Sequence, residues 1–183
     1  MPNRPLRADA RRNREKVLAA AREAFAEHGF AVPLDEIASA AGVGPGTVYR
    51  HFPTKEALFE AVSLARVQDL AADARERAAA SDPGAAFDGF LARLADEVSA
   101  KRDLPDALDG VGADGMADAV GELHEALGVL ISRAQAAGAV RAELTVTDLV
   151  ALLKGLLATV RADPDPGLRE RVFAVVRDGL RPR

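Results

Sequence analysis

The sequence contains no cysteine, and its three histidines lie far apart. The lack of cysteine excludes disulfides, thiolate metal sites, iron–sulfur clusters and cysteine nucleophiles, and it favours a reducing compartment. The histidine spacing does not suit zinc. No run approaches the ~20 apolar residues of a membrane span, and the N-terminus lacks the apolar stretch of a secretory signal. We therefore expect a cytoplasmic protein with no cofactor and no bound metal.

Strand signals are also scarce. Aromatic residues make up only 4% of the chain, whereas alanine and leucine recur at helical spacing throughout. These patterns predict an all-α fold. The predicted helices cover about 12–28, 33–41, 44–52, 54–80, 83–101, 117–137, 146–161 and 165–180. The segment 103–118, rich in aspartate and glycine, is predicted to be a loop with a helical turn or two.

Catalytic motifs lack the context that they need. No serine lies in a nucleophile elbow, and no pattern singles out an acid–base pair of carboxylates. Glycines at 110, 112 and 115 have the spacing of a dinucleotide fingerprint, but no strand precedes them. The aspartates between 103 and 114 lack the loop spacing of a calcium site. We therefore expect a protein that is not an enzyme.

Charge is distributed unevenly along the chain. The overall net charge of −4 argues mildly against nucleic-acid binding. Residues 1–55, however, hold nine Lys or Arg against six Asp or Glu, whereas residues 56–183 hold fifteen against twenty-two. The two parts therefore carry +3 and −7, and only the N-terminal third suits a polyanion.

The second and third predicted helices have the proportions of a helix-turn-helix. On the third, Pro45, Val48 and Phe52 share one face at 100° per residue, which predicts that this face packs inward. The remaining positions would face DNA: Gly46, Thr47 and Arg50 in the groove, and Tyr49 and His51 on the flanks beside the phosphates. A glycine at 46 would let backbone and DNA approach closely.

Residues outside this helix extend the candidate site. Lys55 begins the fourth helix, where backbone N–H groups and the helix dipole favour a phosphate. Arg4 and Arg7 belong to a basic segment that is either a frayed tail or an arm for phosphates or the minor groove. Taken alone, Tyr49 could be a core tyrosine and Lys55 a solvated lysine. Their occurrence together on one exposed face favours DNA binding.

Five stretches of the N-terminal part form a recognisable pattern: REKVL (14–18), AFAEHGF (24–30), DEIA (35–38), AGV (41–43) and GTVYRHFPTKEAL (46–58). This pattern resembles the DNA-binding domain of the TetR family of transcriptional regulators. It implies a homodimer of two-domain helical subunits, with DNA binding by residues 1–53 and effector binding and dimerisation by residues 54–183. Gly46 and Thr47 would then lie in the groove, Tyr49 and His51 would bind phosphates, and Lys55 would anchor the backbone.

Two departures from the family pattern remove potential phosphate contacts. Pro33 stands near the start of the second helix, where many family members have serine or threonine, and Gly44 stands where a polar cap is common. The function predicted is a ligand-responsive regulator, a repressor by expectation, that leaves a palindromic double-stranded operator when a small molecule binds. The alternative is a helical-bundle enzyme or small-molecule carrier with a vestigial helix-turn-helix.

The C-terminal part shows only helical patterns. We expect an effector pocket among apolar residues of three segments, with His124 on the inner face of its helix. Its members would be Phe87, Phe90, Leu91, Leu94, Leu104, Leu108, Met116, Val120, Leu123, His124 and Leu127. The helix 146–161 is apolar on nearly every side and therefore needs cover from more than one direction. Together with the last helix it would form a four-helix dimer interface, or else complete the monomer core. The interface residues would be Leu149, Leu152, Leu153, Leu156, Val172 and Val176.

Overall fold

The computed structural model describes residues 4–99, 115–162 and 165–182, and all regular structure within these ranges is helical. The helices are α1 (Arg4–His28), α2 (Leu34–Ala40), α3 (Pro45–His51), α4 (Lys55–Ala78), α5 (Pro83–Ser99), α6 (Met116–Ala136), α7 (Val146–Ala162) and α8 (Pro166–Gly179). A single 3₁₀ turn, Gly29–Ala31, follows α1. The all-α prediction is therefore confirmed. Within the described ranges, no helix is both long enough and apolar enough to span a membrane.

Helix α1 begins at Arg4, eight residues earlier than the sequence predicted. The extra turns contain alanine and arginine, which favour helix, and Pro5 lies in the first turn, where proline is tolerated. Ion pairs one turn apart support this part of the helix, because Arg11 contacts Glu15 at 3.5 Å and Arg12 contacts Asp9. The basic N-terminal segment is thus helical from Arg4 onward.

The first compact unit comprises residues 4–66 and has its own core. Helices α1, α2 and α3 pack together around residues such as Val17, Ile37 and Val48, each fully buried. Phe25 contributes aromatic contacts: its ring centroid lies 5.4 Å from that of Phe59 in an edge-to-face arrangement. The packing of α3 on α1 and α2 fixes the position of α3, the predicted DNA-reading helix.

The turn between α2 and α3 depends on Gly42. Its φ of +65° lies in the left-handed region, which suits glycine. The Gly42 N–H donates to the Ser39 carbonyl at 3.0 Å, and the Val43 N–H donates to the Ala38 carbonyl at 3.0 Å. This is the Schellman arrangement, which satisfies the last carbonyls of α2 and directs the chain into α3.

The second compact unit comprises residues 67–99, 115–162 and 165–182. Its core is built by residues from α4 to α8, among them Phe87, Phe90, Leu130 and Leu149, which are almost completely buried. Ion pairs flank this core: Asp73 contacts Arg77 at 2.8 Å and Arg93 at 2.9 Å. Helix α5 thereby gains a polar link to α4 as well as apolar packing.

The starts of α7 and α8 are both capped by polar side chains. Thr145 and Asp148 form a reciprocal capping box, in which the Asp148 N–H donates to the Thr145 hydroxyl at 3.1 Å and the Thr145 N–H to the Asp148 carboxylate at 3.0 Å. The Thr145 hydroxyl also donates to the Asp148 carboxylate at 2.7 Å, and this bond, followed by the one from the Thr145 N–H, holds the pKa of Asp148 below its ordinary value. Asp165 accepts from the Gly167 N–H at 2.8 Å, and its pKa is lowered mainly by the hydrogen bond from Arg171 and also by this backbone bond.

Candidate nucleic-acid interface

Helix α3 presents one face to the core of the first unit and one face to solvent. Val48 and Phe52 are 0% and 3% exposed, as predicted for the inner face. Pro45 was predicted to share that face but is exposed. Pro45 is the first residue of α3, directly after the N-cap Gly44, and the core does not cover this end of the helix. The short helix is therefore anchored mainly by its middle and by its C-terminal end.

The outer face of α3 combines small, hydroxyl-bearing and basic residues. Gly46 and Arg50 are exposed, and Tyr49 is 49% exposed, so Tyr49 is not a core tyrosine. Thr47 and His51 are half-buried at the edges of this face. A Cβ placed at Gly46 would meet nothing within 4 Å in the protein. Packing inside the protein therefore gives no reason for a glycine at this position.

Arg50 is held in place by its own helix. Its Nε donates to the Gly46 carbonyl at 3.0 Å, four residues earlier. The side chain therefore runs back along α3 toward Gly46, beside the position that lacks a side chain. Arginine presents five donors in a fixed plane, and this bond uses one of them.

Lys55, the first residue of α4, lies against the ring of Phe30. Its Nζ is 4.8 Å from the ring centroid, a cation–π distance, and the residue is half-buried. Sequence reasoning placed Lys55 in the site but missed Phe30, because no periodicity links residues 25 positions apart in different elements. Phe30 in turn packs edge-to-face on Phe59, with ring centroids 5.5 Å apart. Lys55 is thus held on an aromatic base rather than extended freely into solvent.

A second cation that the sequence did not single out lies at the C-terminal end of α3. The Arg14 Cζ is 5.4 Å from the ring centroid of Phe52, the residue that ends this helix. The His51 ring lies 6.2 Å from the same ring. Arg14 and His51 are therefore brought together around Phe52. Arg4 and Arg7 belong to the first two turns of α1.

The starts of α2 and α3 both lack a polar side-chain cap. Pro33 is the N-cap residue of α2 rather than its first helical residue, and Gly44 is the N-cap residue of α3. Neither makes a side-chain capping hydrogen bond. Neither residue offers a hydroxyl at these helix starts, and the loss of two phosphate contacts relative to the family pattern stays a prediction.

Comparison with known proteins decides the family. Residues 17–62 match the family described as bacterial regulatory proteins, tetR family. Residues 82–182, more than half of the chain, match the C-terminal domain described as transcriptional regulator SbtR-like. The chain belongs to the TetR family. It is thus a transcriptional regulator of the helix-turn-helix class, and its resemblance to the TetR N-terminal domain is confirmed.

Full-length similarity supports the same assignment. The crystal structure of a TetR regulatory protein from Mycobacterium vanbaalenii is 44% identical, covers 97% of this chain and 99% of its own, and has a TM-score of 0.74. The TetR regulator SCO0520 from Streptomyces coelicolor is 38% identical, covers 92% and 98%, and has a TM-score of 0.75. The transcriptional repressor Rv1474c of Mycobacterium tuberculosis is 30% identical over 92% of each chain. A shorter match to UidR of Escherichia coli K12, 40% identical over 60 residues, spans 32% of this chain and 31% of UidR.

The residues predicted for an effector pocket fall into several groups. Phe87, Phe90, Leu91 and Leu127 are buried in the core of the second unit, and Met116 is buried as well. Leu94, Val120 and Leu123 are half-buried. Leu104 and Leu108 lie outside the described residues. Pocket membership therefore stays a prediction for all of these residues.

His124 is exposed, against the prediction that it faces inward. Ile131, seven residues later and at nearly the same angle around α6, is buried, so neighbouring elements cover Ile131 and leave His124 open to solvent. A shallow groove occurs elsewhere on α6. Its lining residues are Glu125, Gly128, Val129, Ser132, Arg133 and Ala136, none of them predicted for the pocket.

The residues predicted for the dimer interface show two kinds of environment. Leu149 and Leu156 are 0% and 3% exposed, so the packing of one subunit already buries them. Leu153, Val172 and Val176 are half-buried. Leu152 on α7 is 42% exposed, and Val175, an apolar residue of α8, is 71% exposed. Helices α7 and α8 pack against each other, yet each leaves one of these apolar side chains exposed.

Proposed function

We propose that this TetR-family protein is a transcriptional repressor that binds a palindromic operator as a homodimer and is released by a small-molecule effector. One observation carries the proposal: α3 is anchored through Val48 and Phe52 while Gly46, Tyr49 and Arg50 remain exposed. An exposed helix face that lacks a side chain at Gly46, in its first turn, suits close approach to the major groove of DNA. The protein would act in the cytoplasm, where it meets the chromosome.

The proposed contacts divide into two classes. Thr47 and Arg50 would reach base edges, whereas Tyr49, His51 and Lys55 would bind phosphates. Arg4 and Arg7, in the first turns of α1, would add phosphate or minor-groove contacts at the side of the site. Phosphate contacts would supply affinity on any sequence, and base contacts would supply preference among sequences.

The homodimer is supported by the apolar side chains that α7 and α8 leave exposed. Leu152 and Val175 each gain little from burial within one subunit. In a pairing of these helices with their symmetry mates, both would become covered, at about 25 cal/mol per Å² of apolar area removed from water. Two DNA-reading helices related by a twofold axis would then match half-sites one helical turn, about 34 Å, apart.

The effector would bind among the apolar residues of the second unit, beside the half-buried Leu94, Val120 and Leu123. It would bind more tightly to a dimer whose two copies of α3 are wrongly spaced for the operator than to one in which they fit. Such a ligand weakens DNA binding by the difference between its two binding free energies. A preference of a few kcal/mol is sufficient. The effector would be an apolar or aromatic molecule with few polar groups, because the nearby side chains of α5 and α6 are aliphatic and aromatic.

The proposed DNA binding is tested by fluorescence anisotropy with labelled DNA from upstream of the protein's own gene. We expect affinity to fall steeply with salt, by roughly 0.9 log unit per log unit of salt for each phosphate neutralised. Lys55→Ala should weaken binding to all sequences alike, whereas Thr47→Ala should change which sequence is preferred. Absence of binding at low salt would instead favour the enzyme or carrier with a vestigial helix-turn-helix.

The dimer is tested by light scattering during size-exclusion chromatography. We expect Leu152→Glu and Val175→Glu to shift the wild-type dimer toward monomer, since each places a charge in the proposed interface. Val129→Glu is the matched control, because Val129 is 54% exposed on α6 outside the proposed interface. A monomeric wild-type protein, or equal effects of all three variants, would argue against this interface.

A further inference from the structure

Arg50 is oriented before it meets any ligand. Its Nε is bonded to the Gly46 carbonyl at 3.0 Å, and the residue is exposed in the last turn of α3. Within residues 4–99, 115–162 and 165–182, the two terminal nitrogens of Arg50 have no protein partner. One edge of the guanidinium is therefore fixed by the helix, and the pair of terminal nitrogens is left to bind something else.

The geometry of these nitrogens selects among base edges. A guanidinium donates two parallel hydrogen bonds, so it fits a pair of neighbouring acceptors. In the major groove only guanine offers such a pair, O6 and N7, because adenine places a donor beside N7, cytosine offers an amino donor, and thymine offers the single acceptor O4 beside a methyl group. The open space at Gly46, one turn earlier on the same exposed face, lets the base edge come close to the tethered side chain.

We propose that Arg50 reads one guanine in each half-site, with its two terminal nitrogens donating to O6 and N7. The Gly46 carbonyl acts as the positioning group, because it holds Nε and thereby lowers the conformational entropy lost on binding. This inference rests on the proposed function and adds to it the base that Arg50 recognises, guanine, and the two hydrogen bonds that recognise it.

The test begins with duplexes that the full-length protein selects from a randomised DNA library. Each guanine of the selected site is replaced in turn by 7-deazaguanine, which lacks N7 but keeps base pairing. Inosine is the matched base control, since it keeps O6 and N7 and loses only the minor-groove amino group. We expect one guanine per half-site at which 7-deazaguanine lowers affinity by roughly tenfold, the value of a hydrogen bond to a charged group. Inosine should have little effect there.

Protein variants then connect that guanine to Arg50. In Arg50→Ala, the 7-deazaguanine penalty should disappear at this guanine and persist at the others. Arg50→Lys keeps the charge without the planar fork and should lose most of the penalty. Lys16→Ala is the control, since it removes an exposed charge from α1 outside the site and should keep the wild-type pattern. Circular dichroism checks that each variant folds.

The outcomes separate this inference from the proposed function. Specific binding with the same 7-deazaguanine penalty in Arg50→Ala, or selected half-sites without a shared guanine, would overturn the assignment of Arg50 alone. Failure of the wild-type protein to select any duplex from the library at low salt would overturn the proposed function and this inference together.

Discussion

Replacement of Gly46 by alanine should separate stability from DNA binding. Gly46 is exposed in α3, its φ is not positive, and an added Cβ would meet no atom within 4 Å. Alanine favours helix over glycine by about 1 kcal/mol in a helix interior. Because Gly46 lies in the first turn, we expect a gain of about 0.5 kcal/mol in the free energy of unfolding.

The same methyl group should weaken DNA binding. If the backbone at Gly46 lies against the base edges, the methyl occupies space that the DNA needs, and overpacking costs about 1–3 kcal/mol. This corresponds to roughly a 5- to 150-fold loss of affinity for each copy of α3 that binds a half-site. We expect the loss on every sequence tested, since the methyl group adds bulk without removing a specific contact.

The assays are thermal unfolding and fluorescence anisotropy on the same preparations. Gly121→Ala is the matched control, because Gly121 is also an exposed helix glycine with no atom within 4 Å of an added Cβ, but it lies in α6. This control should gain stability and keep full DNA affinity. If Gly46→Ala bound DNA within twofold of the wild-type protein, the close approach of α3 to DNA would be refuted.

Three further substitutions test single contacts. Gly42→Ala forces a Cβ onto a residue at φ +65° and should lower the free energy of unfolding by about 1 kcal/mol, measured by urea denaturation. Phe30→Leu removes the ring under Lys55 and should lower DNA affinity on all sequences by a few-fold, and unchanged anisotropy titrations would show that the aromatic base is dispensable. Asp148 has a lowered pKa in the folded protein, so its contribution to stability is complete above the ordinary value of 3.8 and is lost as the pH falls through the lowered value. Asp148→Asn should therefore reduce the loss of thermal stability between about pH 5 and pH 2, and an identical pH profile would contradict this role.

Local signals in the sequence predicted most of the helix boundaries. The glycine turn at Gly42 and the Thr145–Asp148 capping box each involve residues within five positions of one another, so their hydrogen bonds follow from the sequence pattern alone. The inner face of α3 was also predictable, because Val48 and Phe52 repeat at helical spacing. The start of α1 was missed, since charged residues carry no apolar periodicity even when alanine and arginine favour helix.

Contacts between residues far apart in the sequence account for the remaining differences between the predicted and the observed structure. The cation–π pair of Lys55 and Phe30 joins α4 to the turn after α1, and nothing in the spacing of these residues indicates that they meet. The exposure of His124 likewise depends on which neighbours cover α6. Ile131, at nearly the same angle around α6, is buried, so periodicity alone does not decide the exposure of His124.

The position of α3 on DNA can be measured directly because the chain contains no cysteine. Gly44→Cys places one thiol at the start of α3, where an added Cβ meets nothing within 4 Å, and an iron–EDTA group attached to it cleaves nearby DNA. Ala142→Cys, in the exposed segment between α6 and α7, is the matched control. The account predicts cleavage within each selected half-site from position 44 and none there from position 142. Cleavage at the half-sites from position 142 but not from position 44 would contradict it.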